Sequence, residues 1–169
     1  MPSVNNMMKK FADKKWIIYE SYKPLKITDL GKKEAALIVR KHRLTEMFLV
    51  EKMNIGWENV HEIAEQLEHV HSELFFDKMD EILNHPKFDP HGEPIPDKHG
   101  HIIAQDLQKL SQCTKGDTVV FTAVTSSDDD FLNYLNVKKL ELAMRIEVLD
   151  IESYDHSMTV KFGHQSATF

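Results

Sequence analysis

The stretch His61-Glu62-Ile63-Ala64-Glu65-Gln66-Leu67-Glu68-His69 decides the reading of this chain. Turned at about 100° per residue, His61, Glu65, Glu68 and His69 fall on one arc of a helix. The opposite face carries an apolar stripe of Val60, Ile63, Ala64, Leu67, Val70, Leu74 and Phe75, which predicts one helix from about Glu58 to Leu83. No Lys or Arg occurs between Glu58 and Ser72, although Glu58, Glu62, Glu65, Glu68 and Glu73 lie on or beside this stretch. Carboxylates three or four residues apart on a helix repel one another. Two accounts are open: a solvated charged face, or a bound dication that neutralises the group.

The neighbouring sequence supplies a second set of donors. Thr28 or Asp29 caps a predicted helix from about Leu30 to Lys52, ending near Asn54-Ile55-Gly56. Within it His42 and Glu46 are four apart and so face one neighbour together. Two antiparallel helices that offer His and Glu toward each other are a common scaffold for metal. Imidazole and carboxylate without thiolate suit Mn²⁺, Fe²⁺ or Zn²⁺, and the high share of carboxylate oxygen favours Mn²⁺. The single cysteine, Cys113, has no partner for a disulfide and no CxxC neighbour, which argues against cysteine-based zinc or redox chemistry. A di-metal carboxylate enzyme of ferritin-like type would need four long helices, and two are visible. No enzymatic activity is therefore expected.

Charge is distributed unevenly. Residues 1–43 hold eleven Lys+Arg against four Asp+Glu, a balance of +7, which leaves −13 for the rest of a chain whose net charge is −6. A basic end on an acidic body suits contact with a polyanion at one end and cation binding elsewhere; chance variation of surface charge is the plain alternative. With 169 residues, 41% hydrophobic and 28% charged, the chain has the composition of a globular protein. It shows neither a membrane-spanning run nor a secretory leader, so a cytoplasmic location without membrane association is expected.

Toward the N-terminus, Val4, Met7, Met8 and Phe11 fall on one face of a helix that Pro2 starts. Ser3, Asn5, Asn6, Lys9, Lys10 and Lys14 take the other face, with side chains suited to base edges and phosphates. Trp16–Tyr19 and Leu25–Thr28 read as a hairpin whose tip holds Tyr22 and Lys23. Toward the C-terminus, 97–112 reads as a linker with a short helical pattern from Ile102 to Leu110. The strands Thr118–Val124, Met144–Leu149 and Met158–Phe162, with a small helix at Phe131–Leu135, predict a compact β-barrel or sandwich.

Several motifs occur in a familiar order: Pro2-Ser3-Val4 with its following hairpin, Arg40-Lys41-His42-Arg43-Leu44, Val60-His61, Glu68-His69-Val70, and His85-Pro86 followed by Pro90-His91-Gly92-Glu93-Pro94-Ile95-Pro96. In these the chain resembles the diphtheria-toxin-repressor family of metal-dependent regulators over nearly its whole length. The resemblance implies a mostly α fold with small β: a partial winged helix-turn-helix over 1–30, a helical metal-binding and dimerisation domain over 31–96, the linker 97–112, and an SH3-like β-barrel over 113–169. By position it implies Glu65, Glu68 and His69 as primary-site ligands and His42, Glu46 and His61 as second-site ligands. Asp130 is the credible donor from the SH3-like module. Glu65 stands where iron-preferring members often carry cysteine, so it resembles the manganese-responsive branch.

The function so implied is a repressor that senses Mn²⁺ or Fe²⁺ and binds operator DNA as a homodimer to control metal-uptake genes. Ser3, Asn5 and Asn6 would lie nearest the bases, with Lys9, Lys10, Lys14, Lys15, Tyr22 and Lys23 on phosphates. Leu74, Phe75, Phe76, Met79, Ile82 and Leu83 exceed one helix face, which suits a dimer interface or an internal core. The family has further helices before its recognition helix, one of which gives a metal ligand, whereas this sequence opens at the recognition helix. The expectation that follows is a loosely packed 1–28 segment with weak, salt-sensitive DNA binding; the alternative is a metal-binding dimer without specific DNA recognition.

Overall fold

The computed structural model describes residues 4–20 and 23–169. The expected DNA-contacting residues Ser3 and Tyr22 lie outside the described residues. Helix α1 (Val4–Asp13) is followed by β1 (Ile17–Ile18) and β2 (Lys26–Ile27), an antiparallel pair in which Ile17 faces Ile27. None of the residues of α1 is buried, and Val4 and Met7 of its apolar face are exposed.

The long helix α2 (Asp29–Met53) begins where the sequence places it. The Thr28 side chain accepts from the Gly31 backbone N–H at 3.0 Å, satisfying one of the donors that a helix start leaves without an intrahelical partner. At its other end Asn54 adopts a left-handed conformation and its N–H bonds back to the Leu49 carbonyl.

The predicted helix over 58–83 is two helices. A 3₁₀ turn (Trp57–Asn59) leads into α3 (His61–Leu67); a break at 69–72 follows, and Ser72 caps α4 (Glu73–Ile82) by accepting from the Phe75 N–H. Because α3 stops at Leu67, the helical wheel drawn through His69 does not apply beyond it. The stripe divides accordingly: Val60 and Ala64 are fully buried, whereas Ile63, Val70, Leu74 and Phe75 are exposed. Phe76 and Met79 of α4, with Leu83 just after it, pack with Leu44 of α2 and with Ile95.

Two arginines of α2 strap the proline-rich segment 86–96 onto the helix. Arg40 donates to the Pro96 carbonyl at 2.9 Å and pairs with Asp80 at 3.0 Å; Arg43 donates to the Pro94 carbonyl at 2.6 Å and to Glu93 at 2.5 Å. Planar guanidinium groups suit such convergent carbonyl and carboxylate acceptors. Residues 101–109 carry neither helix nor strand, so the pattern from Ile102 to Leu110 is not a helix; a single 3₁₀ turn follows at Leu110–Gln112.

The C-terminal part is a four-stranded antiparallel meander of β3 (Thr118–Val120), β4 (Arg145–Ile151), β5 (Met158–Phe162) and β6 (Gln165–Thr168), with α5 (Asp129–Val137) inserted between β3 and β4. β3 and β6 are its two edges, so the described ladder is open rather than closed into a barrel. Its core holds Leu132, Leu135, Ile146, Val148, Val160 and Phe162, and Trp57 packs against it from the helical side. The whole is mostly α with small β. No helix among the described residues is long and apolar enough to cross a membrane.

Candidate metal centre

α2 carries His42 and Glu46 one turn apart and places them in the lining of a cleft of about 370 Å³. α3 contributes His61 from its first turn and Glu68 from the residue after its last. His42 is the hub: Nδ1 lies 2.8 Å from Glu68 and Nε2 lies 3.0 Å from Glu46 and 3.2 Å from His61 Nδ1. Glu46 Oε1 is in turn 3.3 Å from His61 Nδ1. His42, Glu46 and His61 each offer one ligand atom, and these atoms all lie within 4.8 Å of one another.

The structure brings a second group onto the same carboxylate. Glu46 Oε2 lies 3.7 Å from His91 Nδ1, and Glu46, Asp89 and His91 also offer ligand atoms that all lie within 4.8 Å of one another. All three are buried, at 2%, 4% and 3% exposure. The turn 89–93 holds them. Asp89 Oδ1 accepts from the backbone N–H groups of His91 and Glu93, which is an Asx turn, and Gly92 takes φ +86°. A Cβ on Gly92 would sit 2.1 Å from the Thr122 carbonyl oxygen, so this position requires glycine for space as well as for conformation.

Asp89 Oδ2 is buried and accepts no hydrogen bond, although Arg43 Nε forms an ion pair with it at 3.4 Å. A buried carboxylate oxygen without a hydrogen-bond donor, beside a buried imidazole and a second carboxylate, is a costly arrangement that the Arg43 guanidinium offsets only in part, since the Asp89 carboxyl is still pushed up to about 6. The oxygen and nitrogen donors fit a hard or borderline divalent cation.

The other expected ligands are placed apart. Glu65 is exposed on α3, and the His69 ring is 73% exposed with Nε2 3.9 Å from Glu68 Oε1, because the chain leaves the helix before His69. Asp130 is exposed in the first turn of α5, whereas the cleft is bordered from that side by Val124, Thr125, Ser126 and Ser127. Of the expected DNA-contacting residues, Asn5, Asn6, Lys9, Lys10 and Lys14 are exposed along α1. Asn5 accepts from the Tyr19 hydroxyl, Lys14 lies over the Trp16 ring at 4.2 Å, and the exposed Lys23 pairs with Glu20. Sequence reasoning missed Asp89 and His91 as donors. They lie in a turn, where no helical period links them to Glu46.

The electrostatics follow from burial and pairing. Burial opposes the charged forms of His42 and His91, yet the carboxylate of Glu46 beside both, with Glu68 beside His42, raises the pKa of each. Burial likewise opposes the Glu46 carboxylate, but the two histidines hold it down at about 2. Asp89 is pushed up to about 6, mainly by burial and further by the charge of Glu46. The raised histidines stabilise the metal-free fold below about pH 6.5, and this contribution is lost as pH rises through their folded values. Asp89 acts in the same sense, losing its preferred protonated form as pH rises through about 6. Glu46 contributes stability above its ordinary value of 4.5 that disappears as pH falls toward 2. We therefore expect the melting temperature of the metal-free protein to fall from pH 6 to pH 8. A metal competes with protons for His42 and His91, so saturating Mn²⁺ should flatten or reverse that slope. Thermal melts across this range with and without MnCl₂ check it, and parallel slopes would refute it.

Residues 28–97 match the family described as iron dependent repressor, metal binding and dimerisation domain. The iron-dependent repressor IdeR of Mycobacterium tuberculosis is 42% identical over 72 residues, which are 43% of this chain and 31% of that protein. A probable metal transport system membrane protein of Chlamydia pneumoniae is 45% identical over 73 residues, 43% of this chain and 16% of that protein. The matched part is thus less than a third of either curated relative. A solved manganese-dependent transcriptional repressor in complex with manganese is 30% identical, with a TM-score of 0.85, covering 98% of this chain and 76% of that one. The chain belongs to the diphtheria-toxin-repressor family of metal-dependent regulators.

Proposed function

We propose that the protein is a dimeric sensor of Mn²⁺ or Fe²⁺ that couples metal occupancy to repression of metal-uptake genes through operator DNA. The observation that carries this reading is a buried carboxylate, Glu46, shared between two donor groups, next to an Asp89 oxygen that accepts no hydrogen bond. His42, Glu46 and His61 hold one ion with Glu68 beside them, and Glu46, Asp89 and His91 hold a second. The donor set lacks thiolate and is rich in carboxylate, which favours Mn²⁺ over softer ions. A bound dication supplies fixed positive charge that replaces mutual carboxylate repulsion with attraction among α2, α3 and the 89–93 turn. Glu65, His69 and Asp130 are too exposed in this arrangement to contribute without a local rearrangement after Leu67 or around α5.

The division of labour proposed is 1–30 as part of a winged helix-turn-helix, 31–96 as the metal-binding and dimerising unit, and 113–169 as an SH3-like module. Lys9, Lys10, Lys14 and Lys23 contact phosphates, and Asn5 and Asn6 face the bases. Leu74, Phe75 and Ile82, all exposed on α4, form the dimer contact. Metal binding then favours one spacing of the two reading heads, so DNA affinity and metal affinity rise together.

Fluorescence anisotropy of labelled promoter DNA from a metal-uptake gene, with MnCl₂ and with EDTA, tests the reading alongside sedimentation. The expected result is a dimer whose DNA affinity rises at least about fivefold with Mn²⁺, the lower end of ordinary allosteric coupling. A monomer, or DNA affinity indifferent to metal, overturns it. A second reading is a metal-binding dimer without sequence-specific DNA recognition. It is favoured by an α1 that buries none of its residues and by the recurrence of a 73-residue stretch of similar sequence within a probable metal transport system membrane protein. It requires Mn²⁺ binding together with equal affinity for any DNA sequence.

A further inference from the structure

The C-terminal sheet and α5 touch the metal centre through a chain of directed contacts. Asn136, in the last turn of α5, is exposed and grips the first two residues of the 3₁₀ turn of the helical part. Its Oδ1 accepts from Trp57 Nε1 at 2.7 Å, and its Nδ2 donates to Glu58 Oε2 at 3.0 Å. The Trp57 ring stacks on His91 with centroids 5.8 Å apart and 16° between planes. The Trp57 backbone carbonyl lies 3.0 Å from His91 Nε2, which is the nitrogen that donates there, leaving Nδ1 directed at Glu46 Oε2. The His91 backbone carbonyl in turn accepts from Val124 N–H at 3.0 Å, so the C-terminal part also holds the His91 backbone, from the segment between β3 and α5.

A ligand imidazole binds well only when its second nitrogen is held, because that contact fixes tautomer and ring orientation. Here the holder is a backbone carbonyl on a three-residue turn, and that turn is itself held from the other part of the molecule. We propose that Asn136 is a positioning residue for the metal centre: by clamping Trp57 and Glu58 it fixes the carbonyl that orients His91, so that docking of α5 sets metal affinity. The inference rests on the metal-sensing reading above. It gives the C-terminal part a task that requires no ligand from it, which agrees with the exposure of Asp130 away from the cleft.

The test uses the full chain carrying Trp16→Phe, so that Trp57 is the sole tryptophan and reports on its own environment. Mn²⁺ is titrated by calorimetry and by Trp57 fluorescence. Losing a group that orients a metal ligand costs about 10–100-fold in affinity, and Asn136 acts one bond further out. Asn136→Ala should therefore weaken Mn²⁺ binding about fivefold and shrink the fluorescence response. Asn133→Ala, exposed on the same helix, should change neither. The swap Glu58→Gln with Asn136→Asp exchanges the amide and the carboxylate while keeping both hydrogen bonds, and should restore affinity. Unchanged binding in Asn136→Ala, equal weakening by Asn133→Ala, or no recovery in the swap overturns the proposal while leaving metal sensing intact. Absence of Mn²⁺ binding in the parent chain overturns both.

Discussion

Glu46→Gln is expected to lower Mn²⁺ affinity by about 100-fold or more, since removing even a group that only supports a ligand costs about 10–100-fold. Glu46 is the residue common to both donor groups, and its two oxygens face different histidines: Oε1 faces His42 and His61, and Oε2 faces His91. The amide has nearly the same shape, so the buried position on α2 is filled as before. It lacks the charge and presents an NH₂ to one of the two groups, which can donate to an imidazole but cannot ligate metal. The substitution also removes the ion pairs with His42 and His91. The Glu46 carboxyl is held at about 2 against an ordinary 4.5, so its ionised form contributes about 3 kcal/mol near pH 6 in the metal-free protein. A lower melting temperature at pH 6, together with loss of both calorimetric binding events, is the expected pair of results. Retention of either event at wild-type affinity would show that the two groups do not share this carboxylate.

The parts of this molecule that follow a period were legible in its sequence. α2 begins at Asp29 behind the Thr28 cap and ends at Met53 ahead of Asn54, as the capping residues imply, and His42 and Glu46 meet because they are four apart. β5 spans Met158–Phe162 as its alternation predicts. Where a period was extended past its end, the reading failed. The stripe through Val60 and Ala64 continues in sequence to Leu74 and Phe75, yet the chain turns after Leu67, and His69 leaves the arc that it would share with Glu65 and Glu68. Nothing in 68–72 breaks a helix as proline or glycine would; Ser72 is the one local signal, a capping residue ahead of Glu73. Asp89 and His91 were legible only as parts of a motif. Their convergence on Glu46 depends on the Arg40 and Arg43 straps, which join residues about fifty apart. The two arginines next to His42 read as basic charge, whereas Arg43 in fact balances buried Asp89.

Asp89→Asn separates stability from metal binding because its two oxygens have different tasks. Oδ1 builds the turn by accepting from the His91 and Glu93 N–H groups, and the amide oxygen of asparagine can do the same. Oδ2 accepts no hydrogen bond and faces the charge of Glu46, which helps to hold the carboxyl at about 6. Ionising it at pH 7.5 therefore costs the metal-free fold about 3 kcal/mol, from a rise of roughly two units above its ordinary 3.8. Asparagine removes that cost but gives up the Arg43 Nε approach at 3.4 Å and sets an NH₂ beside a guanidinium. The net expectation is a metal-free protein more stable by about 1–2 kcal/mol at pH 7.5, a gain that fades as pH falls below 6 and the native carboxyl takes up its proton. Mn²⁺ affinity should fall by about 10-fold or more, because the substituted group loses the charge that a dication requires of it. Opposite signs in the two measurements are the signature of a residue kept for function against stability. Chemical denaturation at pH 5.5 and pH 7.5, with calorimetry at the higher pH, gives both. If Asp89→Asn destabilised the metal-free protein at pH 7.5 and left Mn²⁺ affinity unchanged, Asp89 would be a turn residue balanced by Arg43, and the second donor group would not be a metal site.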